Sequence, residues 1–280
     1  MNASITPDKV IKPGKLSTGD TIAVISPAGP PRKSRLEQGI AYLKQCGFNV
    51  LEGQYLRQET GYLAGTDDQR AEDLNIMLEH PQVKGIFCSR GGYGSSRILD
   101  RINYKSAKTH PKIILGYSDV TALHMAFYAK IGLVTFSGPM VAKELGDESS
   151  QSRRDELWNP LVNTQLWRFD ADTGDHRGEC VVAGRAQGRL LGGCLSVLVS
   201  LIGTSFLPDF TDSILLLEDV GEDVYKMDRY FSQLYHSGIL GKIGGLLLGQ
   251  FADLKPDRSH NPVEFNEIIS YYSSLSNVPV

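Results

Sequence analysis

Ile113-Ile114-Leu115-Gly116-Tyr117-Ser118-Asp119-Val120-Thr121-Ala122-Leu123 is the stretch on which the fold and chemistry of this chain turn. A short apolar run ends in Gly-x-Ser, and a helix-forming segment follows at once. A buried strand that delivers a serine onto a sharp turn, with a helix starting beneath it, is the sequence form of a nucleophile elbow. Gly116 gives the turn room. The helix N-terminus after it supplies unpaired N–H groups and the positive end of a dipole, which together can hold an oxyanion. The usual elbow carries a second glycine two residues after the serine, where this chain has Val120. Gly-x-Ser also occurs at strand ends where the serine only caps the next helix. On these residues alone, Ser118 is either a nucleophile or a cap.

Outward from the elbow, strands alternate with helices. Thr21-Ile22-Ala23-Val24-Ile25-Ser26 reads as a buried strand followed by the turn Pro27-Ala28-Gly29-Pro30. Residues 34–46 read as a helix and 48–51 as a strand. Thr66-Asp67-Asp68-Gln69 is a capping box that opens a helix through Glu79. A strand at 83–88 runs into Gly91-Gly92-Tyr93-Gly94 and then a helix to Asp100; a further helix follows the elbow over 120–130. This rhythm, with glycine-rich turns, predicts an α/β layer with a mostly parallel sheet. Residues 141–180 break it, being polar and then rich in Asp and Gly. Beyond them, Leu195, Leu198, Val199 and Ile202 have helical spacing, 214–217 is a short apolar strand, Met227, Tyr230, Phe231 and Leu234 mark another helix, and 244–251 is a strand.

The totals narrow the function classes. The chain has 280 residues, 41% hydrophobic and 22% charged, with a net charge of −3. That balance, without a long basic run, argues against nucleic acid or an anionic membrane as partner. No apolar run approaches the roughly 18 residues of a membrane span, and residues 1–16 lack the apolar core of a signal peptide. The expected location is the cytoplasm. Cys46, Cys88, Cys180 and Cys194 form no disulfide framework, and Cys88 and Cys194 read as small buried hydrophobes. No HxxxH, HExxH or Cys/His cluster is present, so neither a metal nor a cofactor is expected.

A serine nucleophile needs an orienting acid, a base and an oxyanion hole. Glu218 ends the apolar run Leu215-Leu216-Leu217 and is either that acid or a solvated strand end. Gly91 and Gly92 offer closely spaced N–H groups, as an anion nest or a phosphate loop; neither a following Lys-Ser/Thr nor a G-x-G-x-x-G supports the latter. Histidine is the difficulty. His80 and His110 precede prolines, His124 lies about 240° around the helix from Ser118, and His176 sits in the irregular segment. His236 and His260 have no identifying spacing.

Taken together, these segments resemble the LD-carboxypeptidases of serine peptidase family S66, which includes muramoyltetrapeptide carboxypeptidases and microcin C self-immunity peptidases. The matching residues are Gly19-Asp20-Thr21-Ile22-Ala23-Val24-Ile25-Ser26-Pro27-Ala28-Gly29, Arg90-Gly91-Gly92-Tyr93-Gly94, and Gly116 through His124. In the second half they are Gly188-Arg189-Leu190-Leu191-Gly192-Gly193, Leu217-Glu218-Asp219-Val220-Gly221-Glu222 and 244–251. The resemblance implies an N-terminal α/β domain (1–145) carrying the nucleophile, a crossover (146–182) and a smaller C-terminal α/β domain (183–280) carrying the acid.

It makes Ser118 the nucleophile and Glu218 the acid that orients the histidine. Asp119 N–H and the Gly91-Gly92 backbone become the oxyanion hole, and an inter-domain cleft leaves room for an imidazole. The implied reaction is hydrolysis of an amide between an L-centre and a C-terminal D-amino acid, as in a murein tetrapeptide during cell-wall recycling. The alternatives are another amide, such as a peptidyl-nucleotide antibiotic with Trp158 or Trp167 as a stacking platform, or an inactive peptide-binding protein. A homodimer is left open. The family's Gly-Gly-Asn-Leu reads Gly192-Gly193-Cys194-Leu195 here. The family's histidine follows a strand resembling Asn277-Val278-Pro279-Val280, so its matching position falls after Val280. The chain is therefore expected to be C-terminally truncated relative to the family, to lack the base and to turn over negligibly.

Overall fold

The computed structural model describes residues 9–163 and 178–280, with the side chain of Arg153 excepted. The chain divides into two units, Met1–Leu166 with Ser205–Pro208, and Trp167–Thr204 with Asp209–Val280. His176 and Trp167 lie outside the described residues.

In the first unit the elements are β1 (Thr21–Ile25), α1 (Lys33–Gln45), β2 (Asn49–Glu52), α2 (Asp67–Glu79), β3 (Val83–Cys88), α3 (Tyr104–Thr109), β4 (Ile113–Leu115), α4 (Thr121–Ile131) and α5 (Gln151–Val162). Short 3-10 turns at Ser95–Arg101 and Ser118–Val120 precede α3 and α4. The sheet order is β2-β1-β3-β4, and every pairing is parallel. The chain leaves β1 to one side for β2, then crosses back over β1 to β3. Strand order therefore reverses between β1 and β3, and a doubly wound sheet binds ligands in the crevice outside the carboxyl ends of its strands at such a point.

Apolar content fixes these strands from both sides. All of β4 and all of β3 but Lys84 are buried, as parallel strands covered on two faces must be. Leu36, Ile40 and Leu43 present one face of α1 to a core that holds Val24, Phe87 and Leu115. Helix α4 is buried at every residue except Lys130; its run Ala-Leu-His-Met-Ala-Phe-Tyr-Ala is apolar almost all round, the mark of a helix inside a core. The capping box at Thr66 forms in full, with Thr66 Oγ1 accepting from Gln69 N–H at 3.2 Å and Gln69 Oε1 accepting from Thr66 N–H at 2.9 Å.

The segment at 146–182 contains more order than its polarity suggests. Helix α5 buries Leu157 and Leu161 in the first unit's core. Trp158 stacks on Phe48 with ring centroids 5.0 Å apart, and its Nε1–H donates to Tyr42 Oη at 3.0 Å. This packing corrects the suggestion that Trp158 is a ligand-stacking platform. It belongs to the core stack because three aromatic partners and a hydroxyl meet it there.

The second unit contains β5 (Arg189–Cys194), α6 (Leu195–Ser200), β6 (Ser213–Val220), α7 (Val224–His236), β7 (Gly245–Ala252) and α8 (Phe265–Ser276). Its sheet, β5-β6-β7, is again parallel. On β6 burial alternates, with Ser213, Leu215, Leu217 and Asp219 buried and Ile214, Leu216 and Glu218 half-buried. Met227, Phe231 and Leu234 of α7 meet Ile268, Ile269 and Tyr272 of α8 among the buried residues, and Phe231 stacks on Tyr272. Pro279 O accepts from Leu246 N–H of β7, and Val280 N–H donates to Val182 O. Both sheets, in α/β surroundings, are as the sequence leads one to expect. Among the described residues no helix is long and apolar enough to cross a membrane.

Close packing of α1 gives a stability test. A Cβ at Gly39 would stand 1.9 Å from Val141 O, a clash with backbone that no rotamer relieves. Gly39→Ala should cost on the order of 3 kcal/mol in denaturant unfolding, whereas Gly14→Ala, with nothing within 4 Å, should change stability by less than about 0.5 kcal/mol. Equal stabilities for the two variants would contradict this packing.

Candidate active site

Ser118 stands immediately beyond the carboxyl end of β4, with φ of +62°. A side chain in this left-handed region costs on the order of 1–3 kcal/mol unless the surroundings impose it. Here they do. Gly116 O accepts from His124 Nε2–H at 2.8 Å and Gly138 N–H at 3.3 Å, which fixes the strand side of the turn. Tyr117 Oη–H donates to Glu144 Oε1 at 2.7 Å. On the helix side, buried Asp119 Oδ2 accepts from Ser95 N–H at 2.8 Å. A Cβ at Gly116 would meet Val120 and Cys88 at 3.0 and 3.1 Å, so Val120 fills the room that a second glycine usually leaves.

The capping role for Ser118 fails. The N-cap positions of the 3-10 turn and of α4 are Tyr117 and Val120, and neither cap is made by a side chain. Ser118 Oγ makes no hydrogen bond among the described residues. Its hydroxyl sits instead against the glycine loop, where a Cβ at Gly91 would lie 3.0 Å from both Ser118 Cβ and Oγ. Gly91 O accepts from Gly29 N–H at 3.2 Å, and Gly92 has φ of +121°. The N–H groups of Gly91, Gly92 and Asp119 have no hydrogen-bond partner among the described residues. Such donors beside a serine hydroxyl are what a tetrahedral oxyanion requires.

The glycine loop and the loop after β1 are held by a buried cation. Arg70, from α2, donates through Nη1 to Pro27 O at 2.6 Å and Gly94 O at 2.7 Å, and pairs with Asp67. Asp67 in turn accepts from Arg97 at 2.8 Å. Sequence reasoning missed Arg70, because its acceptors are carbonyls from distant segments. Between the two loops, at the switch point, lies a cavity of ≈ 510 Å³ lined by Gly29, Pro30, Tyr62, Arg90, Gly92 and Tyr93. The flanks of the Gly91-Gly92 pair, Arg90 and Tyr93, were the available signal for it.

His124 is buried, and burial lowers its pKa to about 4. It is therefore a neutral ring that donates to the elbow rather than a base. His80 Nδ1 accepts from Gln82 N–H, and His110 ends α3. His236 and His260 are exposed, and none of the described histidines hydrogen-bonds Glu218.

Glu218 stands on β6 opposite Cys194 of β5. The solvated strand-end reading fails here, since its Oε1 is enclosed and has no hydrogen-bond partner among the described residues. Burial, followed by the neighbouring Asp219, raises its pKa to about 7. Asp219 was not foreseen. It is buried and accepts from Ser196 N–H and Val220 N–H, both at 2.8 Å, tying α6 to the end of β6. Cys194, where the family has asparagine, places its thiol 3.6 Å from Asp219 Oδ1, and burial pushes the thiol up to about 12. Among the described residues no cluster of His, Cys, Asp and Glu could hold a metal.

Two pH dependences follow, with opposite signs. Glu218 is raised in the folded state from 4.5 to about 7. Its contribution is fully present below the unfolded value and is lost as pH rises through about 7. His124 is lowered from 6.5 to about 4, so its contribution is present above 6.5 and is lost as pH falls through about 4. Relative to wild type, Glu218→Gln should gain stability between pH 5 and 8, and His124→Gln should gain between pH 6.5 and 4. Parallel stability–pH curves for wild type and either variant would contradict the corresponding burial.

Known proteins resemble the chain along most of its length. Residues 22–138 match the LD-carboxypeptidase N-terminal domain of family S66, and residues 187–280 match the LD-carboxypeptidase C-terminal domain. A probable murein peptide carboxypeptidase of Bacillus subtilis is 35% identical over 93% of this chain and 81% of its own. The crystal structure of muramoyltetrapeptide carboxypeptidase from Oxalobacter formigenes superposes with a TM-score of 0.80 at 30% identity, covering 93% of this chain and 86% of that one. The structure of MccF in complex with glutamyl sulfamoyl guanosine gives a TM-score of 0.86 at 25% identity, covering 96% and 88%. With both family domains matched and this identity across the chain, the protein belongs to the S66 LD-carboxypeptidase family of hydrolases.

Proposed function

We propose that the protein is a cytoplasmic serine carboxypeptidase. Its substrate is a small peptide ending in a D-amino acid, the D-alanine of a murein tetrapeptide, and its role is cell-wall recycling. The observation that carries this reading is the Ser118 hydroxyl, held on a left-handed backbone, free of hydrogen bonds among the described residues and pressed against Gly91. The names of the relatives supply the substrate class.

In this reading Ser118 Oγ attacks the carbonyl carbon of the L-centre while the histidine that the family carries after the strand matching Asn277 to Val280 accepts its proton. The oxygen of the tetrahedral intermediate takes hydrogen bonds from the Gly91, Gly92 and Asp119 N–H groups. Collapse of the intermediate expels the amine of the D-amino acid, which receives the proton from the imidazolium. Water then cleaves the acyl-serine by the same path in reverse. Glu218 holds the histidine tautomer and stabilises the imidazolium. An enclosed carboxylate oxygen without a partner among the described residues is suited to that task. In the family the histidine follows a strand like Asn277 to Val280, which this chain hydrogen-bonds beside β7. The partners are the peptide and no nucleic acid or membrane, and no cofactor enters.

With the family's histidine supplied, Ser118→Ala should lower kcat for D-alanine release from a murein tetrapeptide by about 10⁶-fold, and Glu218→Gln by about 10⁴-fold, as removal of a nucleophile and of an orienting acid do in serine peptidases. Both variants should keep the wild-type circular dichroism spectrum. Substantial D-alanine release by folded Ser118→Ala would remove the assignment.

A further inference from the structure

An enzyme that cuts only the last residue from a peptide must recognise the free carboxylate at its end. That carboxylate lies one residue from the scissile carbonyl carbon, on the order of 4 Å away. A cation that reads it must therefore stand close to the nucleophile, hold a fixed position and have no carboxylate partner of its own.

Arg90 meets these conditions. It immediately precedes Gly91, whose Cα faces Ser118 Oγ. Its Nε–H donates to Gly91 O at 3.2 Å and its Nη1–H to Pro30 O at 3.3 Å. These contacts use two of the five N–H donors of a guanidinium and hold its plane, leaving Nη2 without a partner among the described residues. Nη2 would be 3.9 Å from a Cβ on Gly92, so it lies along the same loop. No carboxylate among the described residues pairs with Arg90. By contrast Arg35, Arg57, Arg70, Arg97 and Arg101 all have acidic partners.

The space around the guanidinium fits a terminal residue. Arg90 lines the ≈ 510 Å³ switch-point cavity, where the rings of Tyr62 and Tyr93 stand 5.8 Å apart. It also lines a second cavity of ≈ 340 Å³ that carries Arg32, Arg35 and Lys143 against Glu144 and Asp147. Asp147 is paired with Arg35, and Glu144 is occupied by Tyr117 Oη and Met140 N–H. The balance around Arg90 is therefore positive.

We propose that Arg90 is the anchor for the C-terminal carboxylate of the substrate and the residue that makes the enzyme an exopeptidase. The proposal rests on the carboxypeptidase reading above. A planar, preset guanidinium gives charge-assisted hydrogen bonds that a lysine ammonium in the same place does not reproduce.

The test is equilibrium binding in a Ser118→Ala background, which removes turnover. A murein tetrapeptide ending in D-alanine is titrated calorimetrically beside the same peptide as its C-terminal carboxamide. The protein with Arg90 should bind the acid about 10–100-fold tighter than the amide, the range of a hydrogen bond to a charged group. Arg90→Gln should lose that preference and keep its affinity for the amide, and Arg90→Lys should recover only part of it. Equal binding of acid and amide with Arg90 present, binding of neither, or an unchanged preference in Arg90→Gln would overturn the anchor. An equal loss of both ligands in Arg90→Gln would assign Arg90 to loop structure instead. If a chain carrying the family's histidine released no D-alanine while the acid preference depended on Arg90, the proposed reaction would fall and the anchor would stand.

Discussion

The site depends on one backbone conformation, the left-handed φ of Ser118 at the end of β4. Serine does not choose that conformation; its neighbours impose it. The strand side is fixed through the Gly116 carbonyl, the helix side through the carboxylate of Asp119, and the space opposite is closed by Gly91. Each hold uses a buried group, so each is rigid. The consequence is a hydroxyl lifted clear of the helix it precedes and left without a hydrogen bond of its own among the described residues. Strain of this kind persists only where packing over-determines it.

The same region shows how a parallel sheet concentrates loops. β1, β3 and β4 are neighbours in the sheet, so the turns after them emerge at one edge. Ser26 and Ser89, the residues after β1 and β3, share a hydrogen bond at 2.7 Å and lock the first two turns together. Arg70 completes the frame from below. A buried guanidinium is costly unless its charge and donors are met. Asp67 meets the charge, and the carbonyls of Pro27 and Gly94 meet the Nη1 donors. Reversal of strand order between β1 and β3 leaves the crevice that these loops line.

Much of this is legible in the sequence, for a physical reason. The buried strands are continuous apolar runs, the capping box at Thr66 is a local hydrogen-bond pattern, and the elbow is a strand, a glycine and a serine in order. Features that depend on distant partners are not legible. Helix α5 hides Leu157, Trp158 and Leu161 among charges, and α8 carries its apolar face where no flanking signal marks it. Arg70 reads as a surface charge until the carbonyls that bind it are known. His124 reads as turned away from Ser118, yet its ring reaches back to the Gly116 carbonyl and braces the elbow as a neutral donor. For Glu218 the position at a strand end is local information, but the enclosure of Oε1 is not.

The account stands or falls on the reactivity of Ser118, and covalent labelling measures that directly. A fluorophosphonate that mimics the tetrahedral intermediate is incubated with the protein, and the modified residue is mapped by mass spectrometry. The account predicts one phosphonyl group, on Ser118, with labelling slowed by a murein tetrapeptide. Release of D-alanine from that peptide by a protein that takes up no label at Ser118, or takes it up at another serine, would contradict it.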